Sequence, residues 1–246
     1  MVIKIGGSEL ENESFLEGLG RAVVHWPEVV IVHGGGPTNN KLSERLGIAP
    51  RFLGGQRVTD EATLEVAVLG LTGGASTRLV AGLVRQGVKA LGLSGVDAGL
   101  VKTRQVEGEL GLVGMPVGVD ADGLRALTAA GFTPCLSPIS LGERGQLLNV
   151  NADFVASAVA AGMQADCLVF LTGSGGILVD GQPQARLGAA ECRELMASGV
   201  IGAGMIPKVE SALQALESGV ARVLITNLAG LEQFRQGQPC ATEVSL

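Results

Sequence analysis

Short apolar runs alternate along the chain with longer segments in which apolar residues recur at helical spacing. The short runs are rich in β-branched residues, which is typical of buried strands. We predict strands at residues 2–5, 29–33, 88–93, 133–136, 167–171 and 220–225. The helical spacing predicts helices at residues 13–25, 38–46, 60–85, 122–130, 152–161, 189–198 and 208–217. Because the connections are long enough for crossovers, the pattern predicts an α/β fold, a three-layer αβα sandwich with a mainly parallel central sheet.

The segment 99–120 interrupts this alternation. Charged residues at Lys102, Arg104, Glu107 and Glu109 are interspersed with apolar positions, a pattern that predicts a hairpin. A hairpin outside the regular order of strands and helices could close over a bound ligand, so a lid is one interpretation of this segment.

The composition is that of a packed globular protein. Hydrophobic residues make up 46% of the 246 residues and aromatic residues only 3%, so the core must consist mainly of aliphatic side chains. The net charge is -6 and Lys and Arg do not cluster, which argues against nucleic-acid and anionic-membrane partners. The first residues lack a signal-peptide layout, and no uninterrupted apolar run approaches the ~18 residues of a membrane span. We therefore expect a cytoplasmic protein.

The cysteines and histidines do not form a metal-binding pattern. Cys135, Cys167, Cys192 and Cys240 are far apart and include no CxxC pair, and the chain has two histidines. This spacing predicts neither a structural zinc site nor a disulfide framework. We predict reduced, mostly structural thiols and no side-chain metal site.

Two glycine-rich turns follow predicted strands, K-I-G-G-S at 4–8 and H-G-G-G-P at 33–37. Consecutive glycines allow backbone N–H groups to approach a ligand, and the helix that follows favours an anion at its first turn. Tight chain reversal is the simpler interpretation of each turn alone. Neither turn has the P-loop or dinucleotide-binding fingerprint, which argues against a nicotinamide-dependent oxidoreductase.

Three cations lie beside glycine-rich segments. Lys4 lies in an otherwise apolar strand, where its ammonium group needs a partner such as a phosphate to offset desolvation. Lys208 is in the first turn of a predicted helix, which is unfavourable for a cation unless an anion is near; a surface lysine is the alternative. Arg57 could bind a carboxylate through two hydrogen bonds or form a salt bridge at a helix edge.

The polar segment N-V-N-A-D at 149–153 precedes a predicted helix. Its side chains could cap that helix or face a ligand. On this segment alone, capping is the preferred interpretation.

Taken in order, these segments resemble the amino-acid-kinase family, and in particular the acetylglutamate kinases of arginine biosynthesis. The resemblance spans nearly the whole chain. It is carried by K-I-G-G at 4–7, H-G-G-G-P at 33–37, G-Q-R-V-T-D at 55–60, N-V-N-A-D at 149–153 and G-M-I-P-K-V at 204–209.

The resemblance implies a role for each matching residue. Lys4 and Lys208 would stabilise the transferring phosphoryl group, and Asp153 would hold the two lysines in position. The acceptor would contact Gly34, Gly35, Arg57 and Asn149. The nucleotide would contact Gly6, Gly7, Thr172, Gly173, Gly176 and Lys208.

The resemblance also implies the reaction, which is phosphorylation of the side-chain carboxylate of N-acetyl-L-glutamate by ATP, with Mg²⁺ on the nucleotide. Residues 1–165 would form a lobe for the acceptor and phosphoryl transfer, and residues 166–246 a lobe for ATP. Because the chain begins at its first predicted strand, without the N-terminal helix of hexameric, arginine-inhibited family members, we expect a homodimer that is insensitive to arginine.

The chain departs from the family pattern at three places. Gly173 stands where the nucleotide turn usually has an acid, Ser76-Thr77 replaces Asn-Lys, and Ala241-Thr242 replaces Gly-Thr. Alternatives therefore include a kinase for aminoadipate or glutamate linked to an acidic carrier protein, and a non-catalytic nucleotide or metabolite sensor. Carbamate, aspartate and uridylate kinases match residues 55–60 less well.

Overall fold

The strands of the protein are short, and most belong to one sheet. A computed structural model describes residues 1–202, 204–238 and 242–246. The strands are β1 (Val2–Ile5), β2 (Val30–His33), β3 (Phe52–Leu53), β4 (Gln56–Arg57), β5 (Ala90–Ser94), β6 (Val101–Gln105), β7 (Val113–Val119), β8 (Thr133–Ser137), β9 (Ile139–Gly142), β10 (Leu147–Val150), β11 (Leu168–Leu171), β12 (Leu178–Val179), β13 (Gln182–Pro183), β14 (Arg186–Gly188), β15 (Val223–Thr226) and β16 (Thr242–Ser245).

Helices connect most of the strands in the large sheet. The α-helices are α1 (Glu13–Val23), α2 (Gly36–Arg45), α3 (Glu61–Val68), α4 (Ser76–Arg85), α5 (Ala121–Ala129), α6 (Ala152–Gly162), α7 (Ala189–Ala197), α8 (Ile206–Glu217) and α9 (Leu228–Arg235). Single 3₁₀ turns lie at Glu9–Glu11 and Asp97–Gly99. Every strand and helix that the sequence pattern predicts is present, with ends shifted by a few residues.

The central sheet has eight strands in the order β14-β16-β15-β11-β1-β2-β8-β5. Its neighbours run parallel except for β15 and β16, which pair antiparallel. Helices α1, α4 and α9 cover one face, with Leu16, Leu83 and Leu231 in the core between them. Helices α5, α6 and α8 cover the other face, around Phe170 and Val155. The predicted three-layer αβα sandwich with a mainly parallel sheet is confirmed.

The segment 99–120 forms the predicted hairpin. Strands β6 and β7 pair antiparallel, with a register shift between Lys102 and Thr103. The hairpin joins β9 and β10 in a closed four-stranded sheet, which the sequence pattern did not predict. Strand β10 of this sheet leads directly into α6 and therefore helps to position the first turn of that helix.

The predicted helix at 60–85 is continuous but changes its winding. Between α3 and α4, residues Leu69–Ala75 form a π-helical segment, a feature often found near functional sites. The continuous run Glu61–Arg85 is long and apolar enough to cross a membrane by length and composition. Half of its apolar window is buried inside the protein, and the core helix of a globular protein meets the same criteria, so this is weak evidence for a membrane span.

Three of the four cysteines lie in the described part of the chain. Cys135, Cys167 and Cys192 are buried and form no disulfide with one another. Burial raises the pKa of the Cys135 thiol to about 12, so this group stays protonated at neutral pH. The prediction of reduced, structural thiols is confirmed for Cys135 and Cys192. Cys167 is buried as the prediction requires, and Cys240 lies outside the described residues.

Candidate active site

Strand β1 places a lysine inside the protein. Side chains alternate between the faces of a strand, so Lys4 shares with Val2 the face that α6 covers, while Ile3 and Ile5 face the opposite helical layer. Lys4 is only 5% exposed. Its ammonium Nζ lies 2.7 Å from Oδ1 of Asp153, in the first turn of α6. A buried lysine with a buried carboxylate partner fits the desolvation argument that the sequence suggested.

The Asp153 carboxylate is available to pair with Lys4 because Asn151, not Asp153, caps α6. The side chain of Asn151 accepts a hydrogen bond from the Asp153 backbone N–H at 2.8 Å. The capping function that the sequence suggested for segment 149–153 therefore belongs to Asn151. The Asp153 carboxylate faces the sheet instead, where it is 4% exposed.

Helix α8 brings a second ammonium group to the same carboxylate. Nζ of Lys208 lies 3.7 Å from Oδ2 of Asp153 and donates a hydrogen bond to the carbonyl oxygen of Gly204. Burial, and secondarily the charge of Lys4, lower the pKa of Lys208, although Asp153 opposes this. Two ammonium groups share one carboxylate, so the cluster carries one uncompensated positive charge when all three are ionised.

The two glycine-rich turns are in direct backbone contact. A Cβ atom on Gly7 would lie 2.7 Å from the backbone nitrogens of Gly35 and Gly36. The Gly34 N–H donates to the carbonyl oxygen of Ile5 at 3.0 Å, which ties the second turn to the end of β1. Only glycine at position 7 permits this approach, so the turns form one surface rather than two separate reversals.

A cavity of about 250 Å³ opens beside these turns. Two helix N-termini contribute to its wall, α2 through Gly36 and α6 through Ala152, and both favour an anion. Apolar side chains such as Leu71 and Val113 form other parts of the lining. The sequence-predicted residues in this lining are Lys4, Gly7, Gly34, Gly35, Arg57 and Asn149.

Arg57 projects from the small β3–β4 hairpin into the cavity lining. Its Nη2 donates to the side-chain oxygen of Asn40, and its guanidinium lies 4.8 Å from the ring centroid of Phe52. Burial lowers the pKa of Arg57. Within the described residues, its buried Nη1 has no hydrogen-bond partner, and a ligand carboxylate would satisfy it.

A short hydrogen-bond chain links Arg57 to Asn149. The Asn149 side-chain NH₂ donates to the Thr59 hydroxyl at 3.1 Å, and that hydroxyl donates to the Arg57 carbonyl oxygen at 2.8 Å. Thr59 is fully buried. Two of the four residues predicted to contact the acceptor are therefore fixed relative to each other, by a threonine for which the sequence had suggested no separate role.

Three of the predicted nucleotide residues occupy a different place. Thr172, Gly173 and Gly176 belong to the turn that follows β11, which is not in the described lining of the cavity. Because β1 pairs with β11, with Ile5 opposite Leu171, this turn lies next to the first glycine turn. The cavity is beside the β2 turn, so these three residues and the predicted acceptor residues lie on opposite sides of the end of β1.

Two of the three departures from the family pattern, Ser76-Thr77 and Ala241-Thr242, lie in different surroundings. Ser76 is buried at the start of α4, against β5. Thr242 accepts a hydrogen bond from the Ile177 backbone N–H and so holds the end of the β11 turn. Ala241 lies outside the described residues.

Sequence reasoning missed Asn39, which lines the cavity. Its side-chain oxygen is buried and lacks a hydrogen-bond partner among the described residues. The segment T-N-N after the glycine turn offered a polar signal, but helical spacing alone did not show which asparagine faces inward.

His33 precedes the second glycine turn and is completely buried. Its Nδ1 lies 2.9 Å from the carbonyl oxygen of Gly34, to which the neutral ring can donate. Burial lowers the pKa of His33 to about 4; the hydrogen bond to Gly34 opposes this, and the charge of Lys4 adds a smaller decrease. The imidazole is therefore neutral at physiological pH.

The buried His33 should make folding stability depend on pH. The unfolded chain takes up a proton near pH 6.5, but the folded chain does so only near pH 4. Stability is therefore complete above pH 6.5 and decreases as the pH falls towards 4, by up to about 3 kcal/mol. We expect urea unfolding to show this slope in the wild type and a flatter one in His33→Gln. His25→Gln, at an exposed histidine, should keep the wild-type slope, and an equally steep slope in His33→Gln would contradict the assignment.

Known proteins resemble this chain over most of its length. An acetylglutamate kinase of Roseiflexus castenholzii (strain DSM 13941 / HLO8) is 46% identical over 235 residues, which cover 94% of this chain and 90% of that protein. An acetylglutamate kinase of Roseiflexus sp. (strain RS-1) is 46% identical over 247 residues, covering 99% and 94%. The crystal structure of smu.665 from Streptococcus mutans UA159 matches with a TM-score of 0.84 at 27% identity, covering 99% and 97%.

The family comparison agrees with these relatives. The profile described as the amino acid kinase family matches residues 1–227, well over half of the chain. The fold, the shared identity and the extent of this match lead to one conclusion: the chain belongs to the amino acid kinase family and, within it, groups with the acetylglutamate kinases.

Proposed function

We propose that this protein transfers the γ-phosphoryl group of ATP to the side-chain carboxylate of N-acetyl-L-glutamate, forming an acyl phosphate in arginine biosynthesis. The main structural support is the cluster of Lys4, Asp153 and Lys208. Lys4 of this cluster lines the same cavity as Arg57. The curated relatives named acetylglutamate kinase support the choice of acceptor.

On the acceptor side, the cavity offers the groups that an acylated amino acid requires. Arg57 would bind the α-carboxylate through the buried Nη1 that has no partner among the described residues. Asn149 would hold the acylamino end, with Thr59 fixing its side chain. The N–H group of Gly35 would contact the reacting carboxylate, which would lie against the Gly34 backbone and must be next to Lys4 for transfer. The N–H of Gly34 itself already donates to Ile5.

The chemistry requires no general base in this site. The attacking carboxylate is already ionised at neutral pH, and the neutral, buried His33 is not needed to accept a proton. The difficulty is to bring one anion against another. Lys4 and Lys208 would offset the charge of the transferring phosphoryl oxygens, aided by backbone N–H groups of the glycine turns, while Asp153 positions the two lysines.

ATP would approach from the other side of β1. Its phosphates would contact Gly6, Gly7 and Lys208, and the rest of the nucleotide would lie over the turn that contains Thr172, Gly173 and Gly176. No described group of three or more His, Cys, Asp or Glu side chains could hold a metal ion. In this proposal Mg²⁺ is bound by the nucleotide phosphates, where it neutralises charge.

We propose different roles for the N-terminal and C-terminal parts of the chain. Residues 1–165 would serve the acceptor and phosphoryl transfer, and residues 166–246 would bind ATP, with the central sheet passing through both parts. We propose in addition that the protein is a cytoplasmic homodimer. The exposed Leu69 and Val84 on the long helical run are candidates for the dimer contact.

The direct test is acyl phosphate formation, trapped with hydroxylamine, from MgATP and N-acetyl-L-glutamate. Free glutamate, aspartate, carbamate and uridylate are run beside it. We expect product only with N-acetyl-L-glutamate. In Lys208→Ala the turnover number should fall by roughly 100-fold or more, because one cation that offsets the developing charge is removed.

The matched control is Lys89→Ala, which removes an exposed lysine on the same protein. It should retain wild-type turnover. Full activity of Lys208→Ala, or turnover of another acceptor in preference to N-acetyl-L-glutamate, would contradict the proposal.

A further inference from the structure

Glu9 lies beside the turn after β11, although it comes from a different part of the chain. It begins the 3₁₀ turn Glu9–Glu11, directly after the first glycine turn. A Cβ atom on Gly173 would lie 3.6 Å from Oε1 of Glu9, an ordinary contact distance. Because Gly173 has no side chain, the Glu9 carboxylate has access to the surface of this turn.

The polar groups of the turn itself are largely satisfied within the protein. Thr172 and Ser174 share a hydrogen bond between their hydroxyls, Ser174 also donates to the carbonyl oxygen of Gly176, and the Ile177 N–H donates to Thr242. In contrast, the described residues provide no ion pair or hydrogen bond for the Glu9 carboxylate, although this side chain is partly buried. The unused acceptor is therefore on Glu9.

The chemistry of a carboxylate limits what Glu9 could bind. A carboxylate accepts hydrogen bonds and repels phosphate, so it suits a part of a nucleotide that carries donors. The cationic cluster of Lys4, Asp153 and Lys208 is the place for phosphates. Ribose offers two hydroxyl donors at a short distance from the phosphates, and acidic side chains bind ribose hydroxyls in other nucleotide sites.

From this arrangement we infer that Glu9 accepts hydrogen bonds from the ribose hydroxyls of ATP bound over the β11 turn. The inference rests on the proposed function, since it requires that ATP lie on this side of β1. It assigns to Glu9 a nucleotide-binding role that the sequence motifs did not indicate.

The test measures nucleotide affinity by calorimetry in the absence of acceptor, so that binding is separated from turnover. We expect Glu9→Gln to weaken ATP binding by about tenfold, because a charge-assisted hydrogen bond is lost. The wild type should bind 2′-deoxy-ATP or 3′-deoxy-ATP less tightly than ATP by a similar factor. In Glu9→Gln, the difference in affinity between ATP and the deoxy-nucleotides should be small or absent, because the carboxylate that accepts from the ribose hydroxyls has been removed.

Glu13→Gln is the matched control, since it removes an exposed carboxylate four residues further along the same segment. It should bind all three nucleotides as the wild type does. Equal ATP affinity in Glu9→Gln and the wild type, or an undiminished deoxy-nucleotide penalty in Glu9→Gln, would overturn the inference. Failure of the wild type to bind ATP at all would instead overturn the proposed function together with it.

Discussion

Gly7→Ala is expected to lower kcat/KM by about 100-fold or more. The added Cβ atom would lie 2.7 Å from the backbone nitrogens of Gly35 and Gly36, and 2.8 Å from Cα of Gly35. These neighbours are backbone atoms, which cannot rotate away as a side chain can. One of the two turns must move, and a displacement of the order of 1 Å in a phosphoryl-transfer site costs about two orders of magnitude in rate.

Gly188→Ala, outside the proposed site, provides the control for this prediction. A Cβ atom on Gly188 would meet no atom within 4 Å, and its φ of −78° is open to any residue. It should therefore retain most of the activity. Steady-state kinetics and thermal unfolding of both variants separate the effects: Gly7→Ala should remain folded while losing turnover. Equal activity of the two variants would show that the contact between the turns is not required.

The layered fold could be predicted because its signals are local. Strands such as Leu168–Leu171 are continuous apolar runs, since both faces of the central sheet are covered by helices. The sequence contains no comparable local pattern for the closed four-stranded sheet. Its strand Val113–Val119 contains Gly114, Pro116 and Gly118, residues that are uncommon in strand interiors, and its pairing depends on distant partners.

The π-helical segment also could not be predicted from the local sequence pattern. The apolar spacing predicts a helix through 60–85, but not the change of winding at Leu69–Ala75. This winding accompanies two close approaches: Gly70 packs against Asn39 of α2, and Leu71 lies where a side chain on Gly35 would be. Both contacts join elements that are far apart in sequence, so local pattern could not indicate them.

A residue of the candidate site could be predicted from the sequence where its type is unusual in a buried position. Lys4 stood out because an ammonium group inside an apolar strand needs a partner, and Asp153 is that partner. Glu9 and Thr59 did not stand out, because a glutamate in a 3₁₀ turn and a threonine after a strand are ordinary in sequence. The roles that we propose for them depend on which segments the fold brings together.

Asp153→Asn should affect both folding and catalysis, because this carboxylate separates two ammonium groups. Asp153 and Lys4 have side chains that are each 6% exposed, so water cannot replace the lost charge. Breaking such a buried pair costs about 3–5 kcal/mol of folding stability. Glu217→Gln is the matched control: it breaks the exposed ion pair with Arg193 and should cost less than about 1 kcal/mol.

The same substitution should move the alkaline limb of the pH–rate profile to lower pH. Burial and the charge of Lys4 already lower the pKa of Lys208, and Asp153 is the group that raises it. Without the carboxylate the pKa of Lys208 falls further, so Lys208 loses its proton, and with it the role that we propose for it in transfer, at a lower pH. ATP phosphates can take the place of the missing anion, and we therefore expect ATP to raise the thermal unfolding temperature more in Asp153→Asn than in the wild type. An unchanged alkaline limb together with an unchanged ATP effect would mean that Asp153 does not control the protonation of Lys208.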